Sequence, residues 1–227
     1  MKIIKFLTIS LLVFFISCSE DKETDEEQTI TQESTETETK IAGEYKYSKF
    51  LLNNSITPII KSSSNQSIDL IEFSSLSCSH CADFHNNTLK ELKSSDIFSS
   101  VNYYVIDFPL NQAAFYASMV ASCDLSIRPS YIDSVYQNYD VWTKASSGEE
   151  IIELLNSYGL QHGLEDEELQ SCLKDEDSHN RLLSLQVDAQ NIFGVESTPT
   201  FLINGEKVQG NRPSSEFIKI IKKKLNN

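Results

Sequence analysis

The feature that most constrains this chain is a short apolar run that ends in a close pair of cysteines. SIDLIEFSS reads as a strand over Ile68–Phe73, β-branched and apolar and closed by serines. Cys78-Ser79-His80-Cys81 follows at once. Ala82–Lys93 then places Ala82, Phe84, His85, Leu89 and Leu92 near one helical stripe. The only CxxC of the chain therefore sits where a strand turns into a helix. Such a pair can grip a metal, anchor a haem, staple a loop or carry electrons.

Residue chemistry separates these options. Haem attachment needs a histidine directly after the second cysteine, and that residue is Ala82. A structural zinc site needs four ligands, usually two such pairs, and no second CxxC exists; His80, His85, His162 and His179 have no regular spacing. A staple across so short a loop constrains little of the unfolded chain. The redox option fits best. A cysteine at a helix N-terminus lies near unpaired backbone N–H groups and the positive end of the helix dipole, which favour the nucleophilic thiolate. His80, inside the loop, adds a positive or hydrogen-bonding neighbour.

The rest of the chain alternates strands and helices. Val101–Leu110 reads as a second strand closed by Pro109. From Asn111 to about Leu185 the pattern is helical: NQAAFYASMVASC, PSYIDSVYQNYDVW with Pro129 in its first turn, SGEEIIELLNSYG with a Ser147/Glu150 capping box and a stop at Gly159, EDEELQSCLKDED and HNRLLSLQVDAQNIFG. TFLINGEKVQG follows as two short strands around Asn204-Gly205, a type I′ hairpin signal, and SEFIKIIKKKL as an amphipathic helix. The expected architecture is an α/β domain with an all-helical domain inserted between its halves, divided as 41–110, 111–185 and 186–227. There is no internal repeat and no glycine-rich phosphate loop.

The N-terminus reads differently. Lys2 and Lys5 precede the apolar run Phe6–Ile16, too short to span a bilayer but suited to a signal-peptide core. Ser17-Cys18-Ser19 allows cleavage after Ser19, giving a signal peptide over 1–19. Phe15-Ile16-Ser17-Cys18 also resembles a bacterial lipoprotein box, with a lipoprotein signal over 1–17, Cys18 as the lipidated residue, and Phe15 where Leu is usual. Residues 20–40 hold nine acidic and two basic residues, half of the net charge of −14, and read as a disordered spacer. That net charge argues against nucleic acid as a partner and against docking on anionic lipid through a basic patch.

Export makes disulfides possible. With Cys18 removed or lipidated, four of the five cysteines remain. Beyond Cys78 and Cys81, Cys123 and Cys172 either form a disulfide or pack as two buried thiols. The disulfide is favoured because exported proteins tend not to keep spare thiols.

IEFSSLSCSHCADFH resembles the active-site region of DsbA-type thiol:disulfide oxidoreductases, and GVESTPTFLINGEKVQG resembles the family's second signature, a Thr-Pro with a cis peptide bond before a β-hairpin. The resemblance covers roughly residues 56 to 225. It implies a thioredoxin-like fold with an inserted helical domain. It implies Cys78 as exposed nucleophile, Cys81 as buried resolving partner, and His80 as stabiliser of the thiolate. It implies Pro199, with Thr198 before it, as the cis-proline that aligns a substrate peptide. It implies Glu72 as a buried carboxylate that moves a proton to or from Cys81. Ser79 departs from the proline common after the first cysteine, which with Thr198 leaves the redox potential open.

The activity so implied is the introduction of disulfides into unfolded exported proteins with free thiols. A membrane oxidase would reoxidise the pair, and no metal or organic cofactor is needed. The location expected is the periplasm, with a tether through Cys18. Two alternatives stay open. One is an isomerase or reductase of the same fold, with KYSKFLLNNSITPII carrying a small association helix. The other is a non-catalytic lipoprotein that holds clients or copper, although Met119 is the only methionine beyond the initiator.

Overall fold

The computed structural model describes residues 46–226. The expected signal peptide, the expected lipidation site Cys18 and the expected acidic spacer lie outside them. Strand β1 (Ile68–Ser74) is buried on both faces, as its near-continuous apolar run requires. It pairs in parallel with β2 (Val101–Asp107) and antiparallel with β3 (Thr200–Ile203), which pairs antiparallel with β4 (Glu206–Gln209). The four-stranded order is β2-β1-β3-β4. The β3–β4 turn has positive φ at both Asn204 (43°) and Gly205 (82°), as a type I′ turn demands. The Asn204 side chain also accepts a bond from the Asp69 amide at 2.8 Å, tying the hairpin to β1.

Alternation along β1 sorts its side chains. Ile68 and Leu70 join the larger core, under the helices that follow β2; Ile71 and Phe73 join the smaller one. Glu72 and Ser74 point the same way as Leu70. The smaller core is closed by α1 (46–53), through Tyr47, Phe50 and Leu51, and by Ala189 and Phe193. The segment that could have carried an association helix thus spends most of its apolar residues inside its own domain; Leu52 alone of them is strongly exposed.

β2 stops at Asp107, three residues short of the sequence expectation. Pro109 has no N–H to offer a ladder, and the Leu110 amide turns instead to Ser75 Oγ at 3.2 Å. The inserted helices are α4 (Gln112–Cys123), α5 (Arg128–Gln137), α6 (Tyr139–Trp142), α7 (Gly148–Gln161) and α8 (Asp166–Cys172). Gly159 is not the stop of α7. The helix runs on to Gln161, and a Cβ at Gly159 would lie 3.0 Å from Val120 Cγ1 of α4, so glycine serves close packing there. Cys123 and Cys172, the last residues of α4 and α8, are joined by a disulfide with a Cα–Cα distance of 5.6 Å. α9 (Glu176–Phe193) then runs unbroken to Gly194, whose left-handed φ of 60° ends it. The expected domain boundary at 185 therefore falls inside a helix that serves both halves of the molecule. α10 (Ser214–Leu225) closes the chain, burying Phe217 and Ile221. Among the described residues no helix is long and apolar enough to cross a membrane.

Candidate active site

The helix after β1 starts earlier and is less regular than its sequence stripe suggests. α2 (Ser79–Asp83) passes into a π turn (Phe84–Thr88) and then α3 (Leu89–Lys93). Cys78 is the N-cap of α2, in extended conformation (φ −86°, ψ 121°), and its carbonyl accepts from the Ala82 amide at 3.0 Å. Its sulfur therefore faces the first, unpaired N–H groups of the helix. Cys78 is half-buried and Cys81, one turn on, is fully buried; both are free thiols.

The loop before β3 meets the same sulfur. Thr198-Pro199 is a cis peptide, and the Cys78 thiol lies 3.3 Å from the Thr198 carbonyl oxygen. That contact favours the protonated thiol, but the donors outweigh it. A hydrogen bond from Cys81 is the largest influence and burial opposes it; the Thr198 side chain and the backbone N–H groups of Cys81 and His80 add to it. Together they lower the Cys78 pKa to about 5. The Thr198 hydroxyl is buried and has no partner among the described residues beside the thiol form, so ionisation of the sulfur supplies it with an acceptor. The His80 imidazole is exposed; this residue reaches the sulfur through its backbone N–H. Cys81 is driven the other way. Burial pushes its pKa up first, then the bond it gives to Cys78 and the charge of Glu72, while a bond from the Ser74 hydroxyl opposes them.

Glu72 is fully buried beneath the pair and is surrounded by donors. Ser74 Oγ donates to its Oε1 at 2.6 Å. Its Oε2 meets His85 Nε2 at 3.0 Å and the Tyr103 hydroxyl. Ser74 Oγ also lies 2.7 Å from the Tyr136 hydroxyl, which donates to the Ser75 carbonyl at 3.3 Å. Burial holds both phenols well above their ordinary pKa, so they act as donors. The inserted helices reach the active-site loop directly, since Tyr136 and Tyr139 bond to the carbonyls of Ser75 and Ser77.

Glu72, Cys78, Cys81, His80, Thr198 and Pro199 thus come together around one sulfur pair, whereas Cys123 and Cys172 are bridged in the helical insertion. Sequence reasoning missed Ser74, His85, Tyr103 and Tyr136. Strand alternation carried a signal for Ser74, two residues from Glu72 and so on its face. His85 was visible as one member of a helical stripe and as one of four irregularly spaced histidines weighed as metal ligands; the π turn carries it and its ring meets Glu72, a type of irregularity common at functional sites.

A family model described as Thioredoxin matches residues 56–223. Among curated relatives, a Rickettsia bellii protein with the provisional name protein-disulfide oxidoreductase is 26% identical over 145 residues, 63% of this chain and 55% of its own length. A Rickettsia felis protein of the same name is 27% identical over 139 residues, 60% of this chain and 49% of its own length. The chain spans about half the length of these relatives. Among solved structures, Wolbachia pipientis alpha-DsbA1 superposes with a TM-score of 0.65 at 22% identity, covering 73% of this chain and 89% of its own. The thiol-disulfide exchange protein alpha-DsbA2 of the same organism gives 0.62 at 17%, covering 84% and 97%. The fold is the one seen in these DsbA proteins, and, with the family model spanning both the cysteine pair and the Thr198-Pro199 loop, the chain belongs to the thioredoxin family.

Proposed function

We propose that this protein is a DsbA-type thiol–disulfide oxidoreductase that donates disulfides to exported proteins. The observation that carries the reading is the opposed chemistry of one cysteine pair: Cys78, at a helix N-terminus, favours the thiolate, while buried Cys81 favours the thiol. A stabilised thiolate favours the reduced pair, and a pair that prefers to be reduced is a strong oxidant when oxidised.

A substrate thiolate attacks Cys78 of the oxidised pair. A bond forms from the substrate sulfur to Cys78, the Cys78–Cys81 bond breaks, and Cys81 leaves with the electron pair and takes up a proton. A second substrate thiolate attacks the substrate sulfur of the mixed disulfide, and Cys78 departs as a thiolate, a good leaving group because of its low pKa. The substrate dithiol loses two electrons and the protein gains them. A membrane oxidase takes them back. Glu72 serves as the proton store for Cys81, the Thr198-Pro199 loop aligns the substrate peptide, and the His80 backbone N–H supports the thiolate. The site of action is the periplasm, with Cys18 as a lipid anchor and the acidic segment as spacer.

The reduction potential of the Cys78–Cys81 pair in glutathione buffers tests this. A value near about −120 mV supports a disulfide donor; one near about −270 mV overturns it in favour of a reductase. Cys78→Ser separates catalysis from holding: a catalyst loses all exchange activity, whereas a client-holding protein retains its clients.

A further inference from the structure

β2 is an edge strand, and its outer side is only partly covered. Ile59 and Ile60 lie along it at Tyr103. Their amides donate to the Tyr103 carbonyl at 2.8 and 3.2 Å, and the Tyr103 amide donates to the Ile60 carbonyl at 2.8 Å. Pro58, before them, has no N–H with which to extend the pairing. The residues before Pro58 close α1 instead. The Ser55 amide donates to the Leu52 carbonyl and the Ile56 amide to that of Leu51, a Schellman cap with Ser55 in the left-handed conformation (φ 52°) where glycine is usual. Beyond Tyr103 the edge therefore lacks a strand partner among the described residues. A cavity of about 230 Å³ opens there, between residues 55–59, Val105–Asp107, the start of α5 and the first half of α9.

Its lining mixes apolar side chains with an excess of positive charge. Ile56, Ile59, Leu182 and Leu185 supply apolar surface; the charged residues are Arg128, Arg181 and Asp107. Asp107 is already engaged by Arg128 Nη2 at 2.6 Å, and the same nitrogen donates to the Val105 carbonyl at 3.3 Å. Arg181 is exposed and donates to the Asn54 carbonyl at 3.0 Å; among the described residues it has no carboxylate within ion-pair distance. One cation of the lining thus stays unbalanced. The surroundings make this unusual. Residues 111–185 hold thirteen acidic and four basic side chains, and two of those four basic ones, Arg128 and Arg181, line this one cavity.

A guanidinium beside apolar surface favours a planar anion on an apolar stem, which gains charge-assisted hydrogen bonds from its head and burial from its stem. A carboxylate brings the single negative charge that the lining lacks, whereas a phosphate brings nearly two. Size follows from volume. A water-sized group takes about 30 Å³, so the cavity holds about eight such groups, the size of hexanoate.

We propose that this cavity binds a carboxylate carried on a short apolar stem, with Arg181 as the residue that selects its charge. Two sources share this chemistry: a free aliphatic acid of about six carbons, and the C-terminus of a polypeptide that ends in an apolar residue. None of the lining residues belongs to the network around Cys78, and the proposal does not rest on the exchange reading.

The experiment is equilibrium dialysis of the full chain against radiolabelled hexanoate and, separately, radiolabelled N-acetylglycyl-leucine, at about pH 7.5, where both probes are ionised. One saturable site is expected, with a Kd of about 0.1–1 mM for a ligand of this size. Hexanamide, the same stem without the charge, should compete at least about tenfold more weakly than unlabelled hexanoate. R181Q should bind the probe about tenfold more weakly, the effect of losing one charge-assisted hydrogen bond. Its melting temperature should match that of the unmodified protein, since Arg181 is exposed. The tighter of the two probes names the source, a free acid or a polypeptide end, and either upholds the site. No saturable uptake of either probe up to about 10 mM overturns the proposal. So does hexanamide competing as well as hexanoate, a comparison on the unmodified protein that holds whatever R181Q does. A folded R181Q of unchanged affinity overturns it as well.

Discussion

The Cys78 sulfur and the Thr198 carbonyl oxygen, 120 residues apart in the chain, lie 3.3 Å apart at the N-terminus of one helix. The contact joins the strand–helix junction to the loop that enters β3. It leaves the sulfur half-buried, accessible to a partner yet surrounded by donors.

Cys78 should therefore titrate with a midpoint near about 5 in the reduced protein, read from thiolate absorbance. Cys81→Ala, which removes the largest contributor, should raise that midpoint toward the ordinary thiol value of about 8.5. The same shift sets a stability profile. The folded pKa lies below the unfolded one, so the contribution is present in full above about pH 8.5 and is lost as pH falls through about 5. The oxidised pair carries no such contribution. The melting temperature of the reduced form, relative to the oxidised form, should rise between those two pH values, level off below them, and fall again above about pH 8.5, where the unfolded chain ionises Cys81 and the fold, which raises its pKa, does not. A difference independent of pH would contradict the assignment.

The Cys123–Cys172 disulfide joins residues 49 apart in sequence. Closing a loop of that size restricts the unfolded chain by about 4 kcal/mol in the chain-entropy account. The double variant C123A/C172A should lose up to that amount in urea unfolding. Its Cys78 titration should not change, because the bridge lies at the ends of α4 and α8, away from the active-site loop.

Arg128 and Asp107 form a nearly buried ion pair, 2.6 Å apart, with side chains 10% and 6% exposed. Arg128 also donates to the Val105 carbonyl at 3.3 Å, fastening α5 to β2. Arg128→Met leaves Asp107 charged and buried, and should cost about 3–5 kcal/mol. The double variant R128M/D107N should recover most of that loss, because no uncompensated charge remains. Denaturant midpoints of the two variants decide it; equal losses would mean that the pair's charges do not set the cost.

Phe50 of α1 stands edge-on to Phe193 at 5.2 Å and tilted against Phe73 at 6.3 Å. If α1 is a fixed part of the smaller core, Phe50→Ala should cost about 3–5 kcal/mol. A loss below about 1 kcal/mol would mean that α1 does not add a full core contact in solution.

What was legible in the sequence was what neighbouring residues decide among themselves. The strand over Ile68–Phe73, the Asn204-Gly205 turn and the Ser147 cap depend on periods and backbone preferences that act within a few residues. The junction at Cys78 is local too, so the pair and its helix-end setting follow from the residues alone. Gly159 misled because a glycine late in a helical pattern suits a stop as well as a tight helix crossing, and only Val120 of another helix tells them apart. Gly194 ends α9 locally, but likewise nothing local shows that a domain boundary at 185 cuts this helix; its second half packs Ala189 and Phe193 into the smaller core. The acid network is tertiary throughout. Glu72, Ser74, His85, Tyr103 and Tyr136 come from β1, the π turn, β2 and α5. They meet because parallel pairing sets β2 beside β1 and because the inserted helices cover that face of the sheet. The choice between two histidines was made the same way: His80 and His85 are both near the cysteines in sequence, but the turn of the helix sends one to solvent and the other onto a buried carboxylate.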